Sequence, residues 1–163
     1  MDNIKKILVP LAFTDYSQGV FNCAVQVALT NDADIIVLSI INSRDIESVK
    51  TIVSMGYDVD AEHYVEEIRK DRKQKLNKMA KTAKIDKDKV KILFKVGRPV
   101  DEILKTISKE APDLVVMGTR GRANLKNSIM GAVAGKVFKR SPVDILSYRD
   151  KDVKKNLEKK LHL

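Results

Sequence analysis

The sequence predicts an α/β protein of the doubly wound class, in which a five-stranded parallel sheet carries helices on both faces. Two observations predict this class: short apolar segments alternate with amphipathic ones along the chain, and the central apolar segments are hydrophobic at consecutive positions. Consecutive apolar residues are typical of parallel strands that are buried on both faces, and alternating strands and helices favour right-handed crossovers. A chain of 163 residues is long enough for one domain with a substantial core.

Five segments are expected to form the sheet. Three of them are rich in Ile, Val and Leu and fit its centre: residues 4–11, 34–41 and 114–117. The other two are residues 90–96, in which apolar and polar residues alternate, and residues 143–148, which are short and mixed in character. Alternating or short strands suit the edges of a sheet, where one side meets solvent.

Four helical patterns lie between or after these strands. The first is expected to end near residue 30 and to be capped by Ser17 or Asp15, and capping is the interpretation given to Asp15. Cys23, the chain's only cysteine, is expected in the core on the apolar face of this helix. The other helices are predicted around residues 65–83, 99–107 and 133–138. Residues 42–60 show no clean period, so they are expected to form a long loop or a short irregular helix.

The composition favours an anionic partner. The chain has 31 basic and 22 acidic residues, a formal net charge of +9, and a basic surface attracts nucleotides, nucleic acids and acidic proteins. Aromatic residues make up only 5% and no aromatic-plus-basic repeat is present, so nucleic acid is not expected as a partner. No apolar run approaches the roughly 20 residues that cross a bilayer, and the N-terminus lacks the pattern of a signal peptide. A cytoplasmic protein with no membrane partner is therefore expected.

A basic extension, residues 149–163, is expected to follow the domain, which is assigned to residues 1–148. Val153, Leu157 and Leu161 recur at every fourth position on a lysine-rich background. This spacing is that of one helix face. A docked helix, a partner-binding helix and a frayed tail all fit it.

Three glycines mark the most informative segment of the chain. Gly118 and Gly121 follow the third central strand, and Gly131 precedes a helix. Glycines let the chain turn tightly, and the free N–H groups at a helix N-terminus attract anions. Ligands of doubly wound folds bind at the carboxyl ends of central strands. The expected ligand site is therefore formed by the loops after Val9, Ile41 and Met117.

The same glycines have the spacing Gly-x-x-Gly, nine residues, then Gly. The sequence KKILVP opens the first strand, Gly97-Arg98-Pro99 opens the third helix, and Ser141-Pro142-Val143 leads into the last strand. With these features together, the chain resembles the universal stress proteins over roughly residues 4–148.

The resemblance implies a sheet in the order 3-2-1-4-5 and a homodimer formed through the last strand, with Val143 and Ile145 at the contact. In the family's ATP-binding branch, adenine and ribose lie over the ends of strands one, two and four, and the phosphates lie on the glycine motif. Carried over to this chain, the nucleotide-binding positions are Pro10, Leu11, Ala12, Ile41, Met117, Gly118, Arg120, Gly121, Gly131, Ala132 and Val133.

Three positions that bind the nucleotide in that branch are alanine here. The family's nucleotide-contacting Asp falls on Ala12, and two hydroxyl residues fall on Ala132 and Ala134. A hydrogen bond to a charged group such as phosphate contributes about 1.5 to 3 kcal/mol, so the combined loss is enough to turn micromolar binding into millimolar binding. Backbone N–H groups after Gly131 and the guanidinium of Arg120 still favour an anion.

Three hypotheses about function follow. The favoured one is a non-enzymatic, dimeric stress-response module with an empty or weakly occupied cleft, and the alternative is a sensor that binds ATP or AMP. Slow ATP hydrolysis is the third and has the least support, because no base or metal ligand is found. The two histidines, His63 and His162, are far apart in sequence, and the Asp86–Asp88 pair lacks the Gly and the terminal Glu of a calcium loop. No catalytic residue, no metal site and no certain cofactor is predicted.

Overall fold

The computed structural model describes residues 3–120 and 130–161. Within these ranges, five parallel strands form one sheet in the order β3-β2-β1-β4-β5, which confirms the predicted topology. The strands are β1 Lys6–Pro10, β2 Asp34–Asn42, β3 Val90–Gly97, β4 Leu114–Gly118 and β5 Ile145–Tyr148. The α-helices of the described residues are α1 Ser17–Asn31, α2 Ser43–Ser54, α3 Ala61–Ala83, α4 Pro99–Glu110, α5 Ala132–Arg140 and α6 Lys151–Lys160, and a short 3-10 helix, Lys87–Lys89, precedes β3.

The central strands send alternate side chains into two cores, one on each face of the sheet. Ile7 and Val9 of β1 lie in the core beneath α1 and α3, whereas Leu8 between them lies in the core beneath α4 and α5. Leu8 is aligned with Ile36 of β2 and Val115 of β4, which belong to the same core as Leu8. Burying one such side chain stabilises the fold by about 1.5 to 3 kcal/mol. The run of consecutive apolar residues is therefore explained by helices on both faces, as predicted.

Helix α1 begins without the predicted side-chain cap. Its N-cap residue is Tyr16, and no side chain caps the helix. A turn precedes it instead, in which the Ser17 N–H donates to the Thr14 carbonyl at 3.0 Å and the Ser17 hydroxyl accepts the Thr14 N–H at 2.9 Å. Asp15 lies in this turn and is exposed. The interpretation of Asp15 or Ser17 as the cap is therefore wrong, because the chain enters the helix through a turn closed by Thr14.

Residues 43–54 form a regular helix, α2, where the sequence predicts a loop or a short irregular helix. Asn42 caps α2 by accepting the Arg44 N–H at 3.1 Å. No residue of α2 is buried, and every residue from 50 to 60 is exposed. Ile46, Val49 and Val53 recur at helical spacing, and Ile46 and Val49 are half-buried. The helix therefore has a short apolar period, which the prediction of a loop missed.

Cys23 lies at the rim of the core rather than inside it. It is half-buried and packs against the core beneath α1 and α3. Burial raises the pKa of its thiol, and the nearby charge of Lys154 opposes this shift. A thiol with a raised pKa stays protonated near neutral pH and reacts slowly.

The basic extension contains the helix α6. Val153 in its first turn is 4% exposed, and Leu161 at its end is 67% exposed. Asp150 is the N-cap residue, and its side chain accepts the N–H groups of Asp152 and Val153 at 2.9 and 3.0 Å. The extension is therefore a helix that docks through its first turn and is open to solvent at its end.

Candidate functional site

A cavity of about 330 Å³ lies at the carboxyl ends of the central strands, at the place predicted for the ligand. Strands β1, β2 and β4 form its floor, and the first turns of α4 and α5 form its walls. The lining residues are Pro10, Leu11, Ala12, Leu38, Ile40, Asn42, Pro99, Ile103, Met117, Gly118, Arg120, Gly131, Ala132, Val133 and Ala134. We refer to this cavity as the cleft.

The structure brings most of the predicted site residues together around the cleft. The predicted residues that line it are Pro10, Leu11, Ala12, Met117, Gly118, Arg120, Gly131, Ala132 and Val133. Gly121 lies outside the described residues. Ile41 does not line the cavity, because alternation along β2 puts it on the opposite face of the sheet from Ile40; Ile41 is 1% exposed.

Ala134, where the family's hydroxyl residue is missing, also lines the cleft, and five further lining residues were not named from the sequence. They are Leu38, Ile40, Asn42, Pro99 and Ile103. Leu38 and Ile40 could have been predicted from the sequence. Side chains alternate between the two faces of a strand, so Leu38 and Ile40 share the face opposite to Ile41, and the end of this strand was expected at the site. Pro99 and Ile103 lie in α4, and only the tertiary structure shows that the first turn of this helix reaches the cleft.

The described wall of the cleft is mainly apolar. Its polar side chains are Asn42 and Arg120, and no carboxylate, histidine, cysteine or hydroxyl residue is among the described residues that line it. The side-chain oxygen of Asn42 is already used to cap α2. The cleft therefore offers an apolar surface together with a single basic side chain from its described residues.

The N-terminus of α5 is the part of the cleft best suited to an anion. Gly131 is its N-cap residue, and no side chain caps this helix. The Gly131 N–H donates to the Thr119 carbonyl at 2.6 Å, so this group is committed within the protein. The next three N–H groups, those of Ala132, Val133 and Ala134, have no acceptor inside the helix because they belong to its first turn. These groups and the helix dipole favour a negative charge at this end of the cleft.

Arg120 lines the cleft, but its guanidinium already contacts Asp150 and Tyr16. Its Nη2 lies 3.3 Å from Oδ1 of Asp150, and the two side chains are only 10% and 14% exposed. Its Nη1 lies 3.5 Å from the Tyr16 hydroxyl, and its guanidinium carbon is 5.2 Å from the centre of the Tyr16 ring. The guanidinium predicted to bind phosphate is therefore already paired with Asp150, the N-cap residue of α6. Sequence reasoning missed Asp150 because it lies 30 residues from Arg120.

Metal-ligating side chains do not cluster in the described part of the chain. Across residues 3–120 and 130–161, no group of three or more His, Cys, Asp or Glu side chains could hold a metal ion. His63 is exposed, and its Nε2 lies 3.9 Å from Oε1 of Glu67 on the same helix. None of the described helices is both long and apolar enough to cross a membrane.

The sequence and the fold match known proteins over almost the whole chain. The profile of the universal stress protein family matches residues 3–149. Universal stress protein MJ0577 of Methanocaldococcus jannaschii is 31% identical over 157 residues, which cover 91% of this chain and 96% of that protein. Universal stress protein YxiE of Bacillus subtilis is 30% identical over 149 residues, which cover 88% of this chain and 98% of that protein.

Solved structures give the same result. The structure of MJ0577 superposes with a TM-score of 0.74 at 27% identity and covers 91% of this chain and 98% of its own. A universal stress protein in complex with cAMP gives a TM-score of 0.62 at 20% identity and covers 91% of this chain and 98% of its own. At that identity, the second likeness concerns the fold alone.

Proposed function

Because the chain belongs to the universal stress protein family, we propose that it is a non-enzymatic, homodimeric stress-response module of the cytoplasm whose nucleotide cleft has degenerated. The observation that carries the proposal is the chemistry of the cleft wall. Ala12, Ala132 and Ala134 all line the cavity, where the family's ATP-binding branch has an Asp and two hydroxyl residues. A methyl group neither donates nor accepts a hydrogen bond, so these three contacts are missing.

The missing contacts are large enough to decide affinity. A hydrogen bond contributes about 0.5 to 1.5 kcal/mol, or about 1.5 to 3 kcal/mol when a partner is charged. A change of about 1.4 kcal/mol in the binding free energy changes the dissociation constant tenfold. At about 1.5 kcal/mol each, the value at which the two ranges meet, three missing contacts weaken nucleotide binding by about three powers of ten. Arg120, which is shared with Asp150, does not restore this loss.

The non-enzymatic part of the proposal also rests on the cleft. A hydrolytic reaction needs a group that positions or deprotonates the attacking water, or a metal ion that does so. Neither a carboxylate nor a histidine is among the described residues of the wall. The stress-response role itself comes from the family.

The homodimer is proposed to form through β5, which is an edge strand of the sheet. The carbonyls of Asp144 and Tyr148 accept N–H groups from β4 and from the residue after it. Because backbone groups alternate in direction along a strand, those of Ile145 and Ser147 point to the open edge. An open edge pairs readily with another strand, and a second copy of β5 offers the same groups. Val143 and Ile145 are half-buried and would lie beside this contact.

A sensor of adenine nucleotides is the second candidate function. Two observations favour it: the cleft is present, at about 330 Å³, and the first-turn N–H groups of α5 need no hydroxyl side chain to bind phosphate. A universal stress protein of the same fold is known in complex with cAMP. On this account ATP or AMP would bind with its phosphates near Gly118, Gly131, Ala132 and Val133, and near Gly121.

A thermal titration separates the two candidates. Ligands that bind only the folded state raise the melting temperature. We expect no rise for the full chain at micromolar ATP or AMP, and at most a small rise at millimolar concentration, measured by differential scanning fluorimetry at constant ionic strength. A saturable rise at micromolar ATP would establish the sensor and overturn the degenerate cleft.

A further inference from the structure

The start of α6 and the cleft share one guanidinium. Arg120 lines the cleft, and its Nη2 lies 3.3 Å from Oδ1 of Asp150. The same oxygen of Asp150 accepts the N–H groups of Asp152 and Val153, so one carboxylate both caps α6 and holds Arg120. The contact is sheltered, because the two side chains are only 10% and 14% exposed.

An anion bound in the cleft and the carboxylate of Asp150 therefore compete for the guanidinium of Arg120. An anion at the N-terminus of α5 would lie in the cleft that Arg120 also lines, and the guanidinium is its nearest basic side chain among the described lining residues. A guanidinium has several N–H donors, but two negative groups around one cation repel each other. In a partly buried site this repulsion is screened less than at the surface.

The position of Asp150 depends in turn on α6. Val153, three residues after Asp150, is 4% exposed, so the first turn of the helix is anchored by packing as well as by the cap. The guanidinium of Arg120 also contacts Tyr16, whose ring centre lies 5.2 Å from the guanidinium carbon. Docking of α6 thus keeps a carboxylate next to the one basic side chain of the described cleft wall.

From this geometry we propose that Asp150 sets the affinity of the cleft for anions, and that docking of α6 and binding of a phosphate-bearing ligand oppose each other. The inference concerns regulation of the anion site at the start of α5 and rests on that site, which belongs to the second candidate function. Coupling of this kind is reciprocal. Release of α6 strengthens anion binding, and a bound anion loosens the first turn of α6.

The test uses the substitution Asp150→Ser in the full chain, with ATP as the probe. Serine is a good N-cap, so α6 keeps its first turn, but its short neutral side chain cannot reach or neutralise Arg120. The expected result is binding of ATP about tenfold tighter than in the wild type, by isothermal titration calorimetry. The matched control is Asp152→Ser, which removes the same charge from an exposed position in the same turn and is expected to leave the affinity within about twofold.

The outcomes separate the inference from the function it rests on. Measurable ATP binding that is equal in the wild type and in Asp150→Ser overturns the inference alone, as does equal tightening by Asp152→Ser. No binding to either protein at millimolar ATP overturns the inference together with the anion site.

Hydrogen exchange gives an independent measure of the coupling. ATP should speed exchange of the amides of α6 in the wild type, and unchanged exchange at saturating ATP contradicts the coupling. If Asp150→Ser lowers helix content, Asp150→Asn, which also caps, replaces it.

Discussion

Single side chains decide what the cleft can hold. Ala12 and Ala132 line it without offering a hydrogen bond, and Arg120 is bound to Asp150. Behind the floor, Arg72 is only 3% exposed and donates to the Ser39 hydroxyl at 2.8 Å and to the Ile40 carbonyl at 3.0 Å. It fixes the end of β2 where Ile40 faces the cleft.

Restoring the missing groups should restore nucleotide binding. We expect the double substitution Ala12→Asp, Ala132→Ser to strengthen ATP binding by at least about fivefold, since it returns two hydrogen-bonding side chains at about 0.5 to 1.5 kcal/mol or more each. Isothermal titration calorimetry measures the change directly. Ala61→Asp, which adds a carboxylate at the start of α3 and outside the cleft, is the control and should not alter affinity. An unchanged dissociation constant in the double variant would mean that the roles assigned to these two positions are wrong.

The alanines could be identified from the sequence, whereas the partners of the arginines could not. Ala12 and Ala132 are found by aligning a motif, which needs only spacing. Arg72 lies in α3, whose neighbouring residues are mostly charged, so it looks like another solvated side chain. The pairing of Arg120 with Asp150 joins residues that only the fold brings together. Long-range polar contacts of this kind leave no local pattern.

At the scale of elements, β5 is the strand whose edge is open for a partner. Residues Ile145 and Ser147 present their backbone N–H and C=O groups to this edge, while the neighbouring residues bond to β4. All four residues of β5 are half-buried. The strand was predicted at an edge because it is short and mixed, and the sheet order confirms that position.

A proline at the open edge should prevent dimerisation. Ser147→Pro removes an N–H that points away from β4, so the sheet inside one chain keeps its ladder while a second β5 loses a donor. We expect a monomer by size-exclusion chromatography with multi-angle light scattering. Ser147→Ala keeps the N–H and should remain dimeric. A dimer that survives Ser147→Pro with an unchanged dissociation constant places the interface elsewhere.

Elements that bury a whole face were predicted as helices, whereas α2, which has no fully buried residue, was predicted only as a long loop or a short irregular helix. Helices α1, α3, α4 and α5 follow apolar periods and are found close to their predicted ranges. Helix α2 has no fully buried residue, and its apolar period is limited to Ile46, Val49 and Val53; Asn42, its cap, was a second signal for the helix. The prediction of a side-chain cap at the start of α1 is wrong because a turn precedes the helix, in which the Ser17 N–H donates to the Thr14 carbonyl. Asp15 is of a residue type that often caps helices, but its side chain does not cap this one.

For the whole molecule, the topology explains why the cleft is where it is. All five strands are parallel, but the order in which they are added to the sheet changes side after β3, so that β4 lies next to β1. The loops after β1 and β4 therefore lead to opposite faces of the sheet and leave a crevice, which the starts of α4 and α5 line. Alternation of strands and helices, with the glycine spacing, was enough to predict both the fold and this location. The same topology brings the end of β5 and the start of α6 next to Arg120, which joins the basic extension to the cleft.

The most direct measurement of the central claim is the nucleotide content of the chain of residues 1–163, purified without added nucleotide. The protein is denatured, and the supernatant is analysed for adenine nucleotides by ion-exchange chromatography. Because the cleft lacks three side-chain contacts, we predict far less than one nucleotide per chain, since ligand held at millimolar affinity is lost during purification. One ATP or AMP per chain would contradict the degenerate cleft.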